Sequence, residues 1–324
     1  MMLTVEQPGV LSTVQDIGRT GWRHLGVARA GALDPDAARL ANRLVGNPAD
    51  AAVLEFTLIG PTLWLDAPTT IALCGAEADV VHTDAGGTRT LIGAGRPVGL
   101  PPGSLRIGRL RRGIRGWLAV KGGLRTPEML GSRSTDLRGG FGGHAGRALA
   151  RGDALQLGPG DAVPRTQVRQ PRWWVEFDPL PGDTMIVRFV PLPHADGIAR
   201  QLASRPWRVD ARSNRQGLRL QGEPLPVPAG DIVSAAVAPG TIQLPPDGQP
   251  IVLLADAQTT GGYRRLGHVV ASDLPRLAQA GPGTGLHWIA VDTDTGASLR
   301  RARLAQWRRL EYLLDERLRS MPDG

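Results

Sequence analysis

Short blocks in the first half of this 324-residue chain return, in the same order, in the second half. Arg19-Thr-Gly-Trp-Arg-His-Leu-Gly26 lines up with Arg215-Gln-Gly-Leu-Arg-Leu-Gln-Gly222, and Leu58–Leu65 with Val237–Leu244. Ile71–Gly75 then matches Ile251–Ala255, Pro102–Ser104 matches Pro282–Thr284, and Trp117–Val120 matches Trp288–Val291. Each match is weak, but shared order constrains the fold more than any one segment does. It predicts two related β-rich domains. The expected junction lies near residues 160–182 and opens on the turn-rich Gly158-Pro-Gly-Asp-Ala-Val-Pro164. The predicted layout is a first domain over 1–165, a second over 166–294 and a C-terminal amphipathic helix over 295–324.

Within this frame Thr62–Leu65, Thr70–Cys74, Trp117–Val120, Met185–Val190, Thr241–Leu244, Ile251–Leu254 and His287–Val291 read as strands. With 43 glycines and 27 prolines, the chain favours short strands and tight turns, hence closed or partly closed β-barrels rather than a doubly wound sheet. Helices are few. Asp34 and Pro35 open one, Leu40, Ala41 and Leu44 continue it, and Gly46 and Pro48 stop it. Others are expected over Pro193–Ser204 and Ser272–Gly281. The tail from Ser298 to Arg319 turns Trp307, Leu310, Leu314 and Leu318 inward, most simply onto its own domain.

Several function classes can be set aside. The formal charge is +8, yet of 38 basic residues only Lys121 is a lysine, and the arginines are scattered without interleaved aromatics. Nucleic acid is therefore not the expected partner. No apolar run approaches the roughly 20 residues that span a bilayer, so no membrane association is expected. Met1–Pro8 lacks a basic region leading into an apolar one, so no signal peptide is expected. The single cysteine, Cys74, forms no internal disulfide, which suits a reducing cytoplasm. No Cys-x-x-Cys or close histidine pair offers a metal site, and no Gly-x-Ser-x-Gly elbow occurs. His24, His144 and His268 stand alone, as structural histidines usually do.

Three polar clusters remain. The first, Thr13-Val-Gln-Asp-Ile-Gly-Arg-Thr-Gly21, gathers Gln15, Asp16 and Arg19 in a glycine-bearing turn able to grip a carbonyl and a carboxylate. An Asp–Arg pair bracing the turn is the alternative. Gly131-Ser-Arg-Ser-Thr-Asp-Leu-Arg-Gly-Gly-Phe-Gly-Gly-His144 offers hydroxyls and arginines suited to a phosphate or carboxylate, or a plain surface loop. It lacks the Gly-Lys-Ser/Thr ending of a phosphate loop. The third starts at Pro245-Pro-Asp-Gly-Gln-Pro250, crosses an apolar strand and ends in Asp256-Ala-Gln-Thr-Thr-Gly-Gly-Tyr263. Asp247 and Gln249 precede that strand, and Gly261 and Gly262 let backbone approach a ligand. Carboxylates among amides can orient a lactam or urea-like group by accepting its N–H. A locally bonded edge hairpin is the competing reading.

Together these motifs, with Gly31-Ala-Leu-Asp34 and Gly46-Asn-Pro48, give a chain that resembles the biotin-dependent carboxyltransferase-like family. That family includes the C subunit of 5-oxoprolinase and the allophanate hydrolase subunit 2-like and KipA-like proteins. The resemblance runs from about Leu3 to Trp288. It implies a mainly β fold of two tandem cyclophilin-like β-barrel domains, with a few short helices. It implies partners like the A and B subunits of 5-oxoprolinase, and ATP-dependent opening of 5-oxo-L-proline to L-glutamate by an assembly of which one chain is inactive alone. On this reading Asp16, Arg19, Asp247 and Asp256 are catalytic. Gln15, Asp34, Arg133, Ser134, Gln249, Gln258, Thr259, Thr260, Gly261, Gly262 and Tyr263 bind substrate, with Arg133 and Ser134 facing phosphate. Two departures stand out: Arg29-Ala30 replaces the usual Pro-Ser, and Arg264-Arg265 the usual Pro-Lys. The alternatives are a carboxyltransferase acting on urea or a related amide, with biotin carried by another chain, and a KipA-like regulatory binding protein.

Overall fold

The computed structural model describes residues 1–159, 166–228, 230 and 233–320. It is mainly β, in two compact units. The first comprises Met1–Arg19, Ala30–Leu180 and the chain from Leu310; the second comprises Thr20–Arg29 and Pro181–Arg309. The 165/166 boundary and most of the expected Gly158–Pro164 junction fall outside the described residues.

The first unit carries nine strands: β1 (Met2–Gln7), β2 (Leu11–Gln15), β3 (Val53–Thr57), β4 (Thr62–Leu65), β5 (Thr69–Asp84), β6 (Arg89–Ile92), β7 (Val98–Leu100), β8 (Gly103–Val120) and β9 (Ala154–Gln156). They form a half-barrel sheet in the order β2-β3-β8-β4-β1-β9, with β5 pairing β6, β7 and β8. Alternation decides its inner face. Leu3 and Val5 on β1, Leu54 and Phe56 on β3, Leu63 and Leu65 on β4, and Leu118 and Val120 on β8 meet in one core.

The opposite face of β3 holds a polar pair. Glu55 Oε2 accepts from Trp117 Nε1 at 2.9 Å, across the β3–β8 register, and from the Leu33 amide at 2.8 Å. Helix α1 (Pro35–Leu44) follows. Asp34 Oδ1 accepts from the Asp36 and Ala37 amides at 3.0 Å each, a cap worth about 1 kcal/mol. Ala38, Leu40, Ala41 and Leu44 form its buried face, and Gly46, at φ +74°, ends it.

In the second unit β10 (Thr184–Pro191), β11 (Trp207–Val209), β12 (Gly217–Gln221), β14 (Thr241–Leu244), β15 (Ile251–Leu253), β17 (Arg264–Val269) and β18 (Gly285–Ala290) close a barrel in the order β10-β17-β14-β15-β12-β11-β18. The parallel β10–β18 pair closes it. Strands β13 (Ala235–Ala236) and β16 (Thr260–Gly261) form a separate two-stranded antiparallel sheet. Helix α2 (Asp196–Ser204) follows a short 3-10 turn at Pro193–Ala195.

The expected strands are present, but the duplicated blocks do not share neighbours. Ile71 pairs with Val120 across β5–β8. In the second unit Ile251 pairs with β12 and β14, while Trp288 runs parallel to Val187. The first matched block differs outright, being a 3-10 turn at Arg23–Leu25 against strand Gly217–Gln221. Four or five residues encode which side faces the core, not which strand lies alongside. The Ser272–Gly281 helix reduces to a 3-10 turn at Pro275–Gln279, tied by i→i+3 bonds such as Ala280 N to Leu277 O at 3.1 Å. Pro275 supplies no amide and Gly281-Pro282 stops the segment at one turn.

The tail helix α3 (Thr293–Arg319) starts earlier than expected, where Asp292 Oδ1 accepts from the Thr295 amide at 2.7 Å. Trp307 and Leu314 are buried, as the inward pattern requires. In the first unit Asp315 pairs with Arg43, and the Arg317 guanidinium lies 5.7 Å from the Trp173 ring. Among the described residues, no helix is long and apolar enough to cross a membrane.

Candidate functional site

Strand β2 delivers Asp16 to the centre of the first cluster. Its Oδ1 accepts from the Ser132 hydroxyl at 2.6 Å, the Ser134 hydroxyl at 2.5 Å and the Gly18 amide at 2.8 Å. Its Oδ2 accepts from the Arg133 amide at 2.5 Å. The backbone amide of Asp16 donates back to Ser134 Oγ at 2.9 Å. The Thr13–Gly21 and Gly131–His144 motifs, distant in sequence, are therefore one knot built on a buried carboxylate.

Arg19 and Gln15 tighten it. Arg19 is 1% exposed, donates to the carbonyls of Ser134 and Met129, and stacks 4.5 Å above the Phe141 ring. Gln15 is fully buried; its Nε2 donates to Thr13 Oγ1 at 3.0 Å and Thr135 O at 3.3 Å, and its Oε1 accepts from the Gly31 amide at 3.1 Å. Gly31 must be glycine: at φ +89°, an added Cβ would lie 2.7 Å from Gly18 N. Met129 and Ser132 exchange backbone bonds across Leu130 and Gly131, both left-handed at φ 56° and 73°, which is a type I′ hairpin turn.

Beside the knot lies a cavity of about 390 Å³. Asp16, Ser132 and Arg133 line one side, and Pro48, Asp50, Gly122, Gly123, Arg125 and Glu128 are among the residues lining the other. The Gly46-Asn-Pro48 motif explains the second wall. Asn47 Nδ2 donates to Val120 O at 2.9 Å and its Oδ1 accepts from the Gly122 amide at 2.9 Å, fastening the loop after α1 to the turn after β8.

The structure thus brings Asp16, Ser132 and Arg133 to a cavity, but it gives most of the expected residues bracing work. Gln15 and Arg19 hold loops together, and Asp34 caps α1. Ser134 is spent on Asp16. The Arg133 guanidinium bonds to the Thr126 carbonyl and lies 3.6 Å from Glu128. Arg125, Asp50 and Glu128 were not expected; the signal for Arg125 and Glu128 is charge spaced between the Gly122-Gly123 pair and the Gly131 motif, and for Asp50 a carboxylate just after Gly46-Asn-Pro48.

In the second unit Asp256 forms a buried bidentate pair with Arg215, at 2.8 and 2.9 Å, both side chains 4% exposed. Asp247 closes its own turn by accepting from the Gln249 amide at 3.0 Å. Gln249 bonds both ways with the Gly222 backbone, at 3.0 Å each. Thr259 O accepts from Val237 N at 3.0 Å, while Thr260 and Gly261 form β16. Gly262 and Tyr263 are exposed, and Gln258 is half-buried. Beneath this loop sits a residue sequence reasoning missed. Gln243 on β14 is 1% exposed, its Nε2 has no hydrogen-bond partner among the described residues, and it would lie 2.5 Å from a Cβ at Gly261. An amide within the strand Thr241-Ile-Gln-Leu244 was the available signal. Further along β17, Arg265 donates to Ala236 O at 3.3 Å, and burial together with its charge lowers the His268 pKa.

A carboxyltransferase domain family, subdomains A and B, matches residues 25–290. The chain belongs to that family. It is 37% identical to the 5-oxoprolinase C subunit of Escherichia coli K12 across 97% of this chain and 99% of that protein. Among solved structures, TTHA0988 is 40% identical with a TM-score of 0.77, over 89% of this chain but 56% of TTHA0988. Kluyveromyces lactis urea carboxylase superposes with a TM-score of 0.81 at 27% identity, over 93% of this chain and 28% of that one.

Proposed function

We propose that this family member is the C subunit of a cytoplasmic, multi-subunit, ATP-dependent 5-oxoprolinase, inactive alone, that helps bind and activate 5-oxo-L-proline for hydrolysis to L-glutamate. One observation carries the reading: the resemblance to the Escherichia coli protein is end to end on both chains. A third-lettered subunit implies companion chains, expected to resemble the A and B subunits of 5-oxoprolinase. The first-unit cavity supports a small polar substrate, since it offers carboxylates, arginines and backbone at glycines.

Opening an unstrained lactam is unfavourable enough to need ATP. The expected phosphate-facing residues of this chain do not fit that ligand, because Ser134 Oγ and the Arg133 guanidinium are tied to Asp16, Thr126 and Glu128. In this reading ATP sits on a partner chain, and this chain binds and orients the lactam.

A second reading is carboxyl transfer from biotin, carried by another chain, to urea or a related amide. It draws on the TM-score of 0.81 to the urea carboxylase. Reconstitution separates the two. The two companion subunits with this chain should release glutamate from 5-oxoproline only when ATP is present. Urea-dependent consumption of carboxybiotin, with no glutamate, would replace the first reading by the second.

A further inference from the structure

The hydrogen bonds around the first-unit cavity divide its charged groups into occupied and available ones. Asp16 already accepts from four donors, and the Arg133 guanidinium is committed to Thr126 and Glu128. Arg125 and Asp50 also line the cavity, yet among the described residues neither side chain has a hydrogen-bond or ionic partner. A guanidinium and a carboxylate lining one cavity that leave each other unpaired are complementary to a ligand carrying an anion and an N–H.

Both groups stand on fixed backbone. The Arg125 amide donates to Gln156 O at 2.8 Å, and Gly158 N donates to Gly123 O at 3.0 Å, locking the loop after β8 to the end of β9. A Cβ at Gly158 would meet Gly122 O at 2.1 Å and Arg125 Nε at 2.8 Å, so the Gly122 backbone and the Arg125 side chain both pack against this glycine. On the other wall the Ala51 amide donates to Pro48 O at 3.0 Å, and Asn42 Nδ2 donates to Ala51 O at 2.7 Å. Asp50 is thus held in a closed turn. Placement before binding is what lets one charge-assisted contact count fully.

We propose that Arg125 anchors the substrate carboxylate and Asp50 accepts the substrate's amide N–H. This rests on the 5-oxoprolinase reading, because 5-oxo-L-proline carries a carboxylate on the carbon next to its ring N–H, whereas urea carries none. Arg125 and Asp50 are therefore specificity determinants that select an amino-acid-derived lactam over a neutral amide.

The test is steady-state kinetics of the assembled complex with Arg125→Ala, Arg125→Lys and Asp50→Ala in this chain. Losing a bidentate carboxylate contact should raise KM for 5-oxoproline ~10- to 100-fold and leave kcat within about twofold, with lysine recovering part of the loss. Asp50→Ala should raise KM in the same sense. The exposed positions should leave the melting temperature unchanged, which separates loss of binding from loss of fold. If the wild-type assembly turns over but Arg125→Ala matches it, or loses kcat with KM unchanged, the assignment is overturned and the 5-oxoprolinase reading stands. If the wild-type assembly releases no glutamate, that reading falls and takes this one with it.

Discussion

Replacing Asp16 by asparagine and by alanine measures how far the first cluster depends on one carboxylate. Asparagine can keep Oδ1 as acceptor for Gly18, Ser132 and Ser134, but then points an NH2 at the Arg133 amide that Oδ2 now accepts. The opposite rotamer is worse, turning that NH2 onto three donors. A hydrogen bond to a charged group contributes about 1.5–3 kcal/mol, so one lost bond plus a donor–donor contact costs about 2–3 kcal/mol. Alanine strands all four donors, and with some relaxation and water entry the cost is about 4–5 kcal/mol. Urea unfolding of the full chain reads both as shifts in midpoint at unchanged m. An asparagine variant within about 0.5 kcal/mol of wild type, the range of an ordinary surface change, would refute the carboxylate hub.

Removing Arg215 alone should cost about 3–5 kcal/mol by taking the buried bidentate cation away from Asp256, whereas Arg215→Met with Asp256→Leu should recover most of it in the same assay. Full loss in the double variant would mean the pair does more than brace the barrel. Leu130, left-handed at φ 56° in the type I′ turn, should gain about 0.5–1 kcal/mol on replacement by glycine or asparagine, and unchanged stability would argue against strain there. His82 is fully buried, and desolvation holds its pKa below the usual 6.5, against the opposing pull of the Pro101 carbonyl and Asp84. A lowered folded pKa means the unfolded chain binds the extra proton first, so this contribution is complete above pH 6.5 and is lost as pH falls through the folded value. His82→Gln should flatten that part of the stability–pH curve, and an unchanged slope would remove His82 as its source.

Much of the fold was legible because alternation and caps act locally. Asp34, Pro35 and Gly46 bound α1 as read, and Thr241–Leu244 is a strand to the residue. Ladder partners were not legible: Ile71 and Ile251 carry the same apolar pattern but pair in different surroundings. At the site, polar residue type announced the knot, and Asp16 does meet Ser134 from 118 residues away. Residue type could not announce the division of labour. A buried Gln15 saturated with bonds and an exposed ligand-facing glutamine are spelled alike, and Arg125 and Asp50 look like ordinary solvated charges until the cavity brings them together.

A crystal structure of the assembled complex soaked with 5-oxo-L-proline tests the proposed site most directly. The lactam should lie in the first-unit cavity, its carboxylate on the Arg125 guanidinium and its ring N–H on Asp50. A lactam seated elsewhere, with that cavity empty and both side chains untouched, would contradict the assignment.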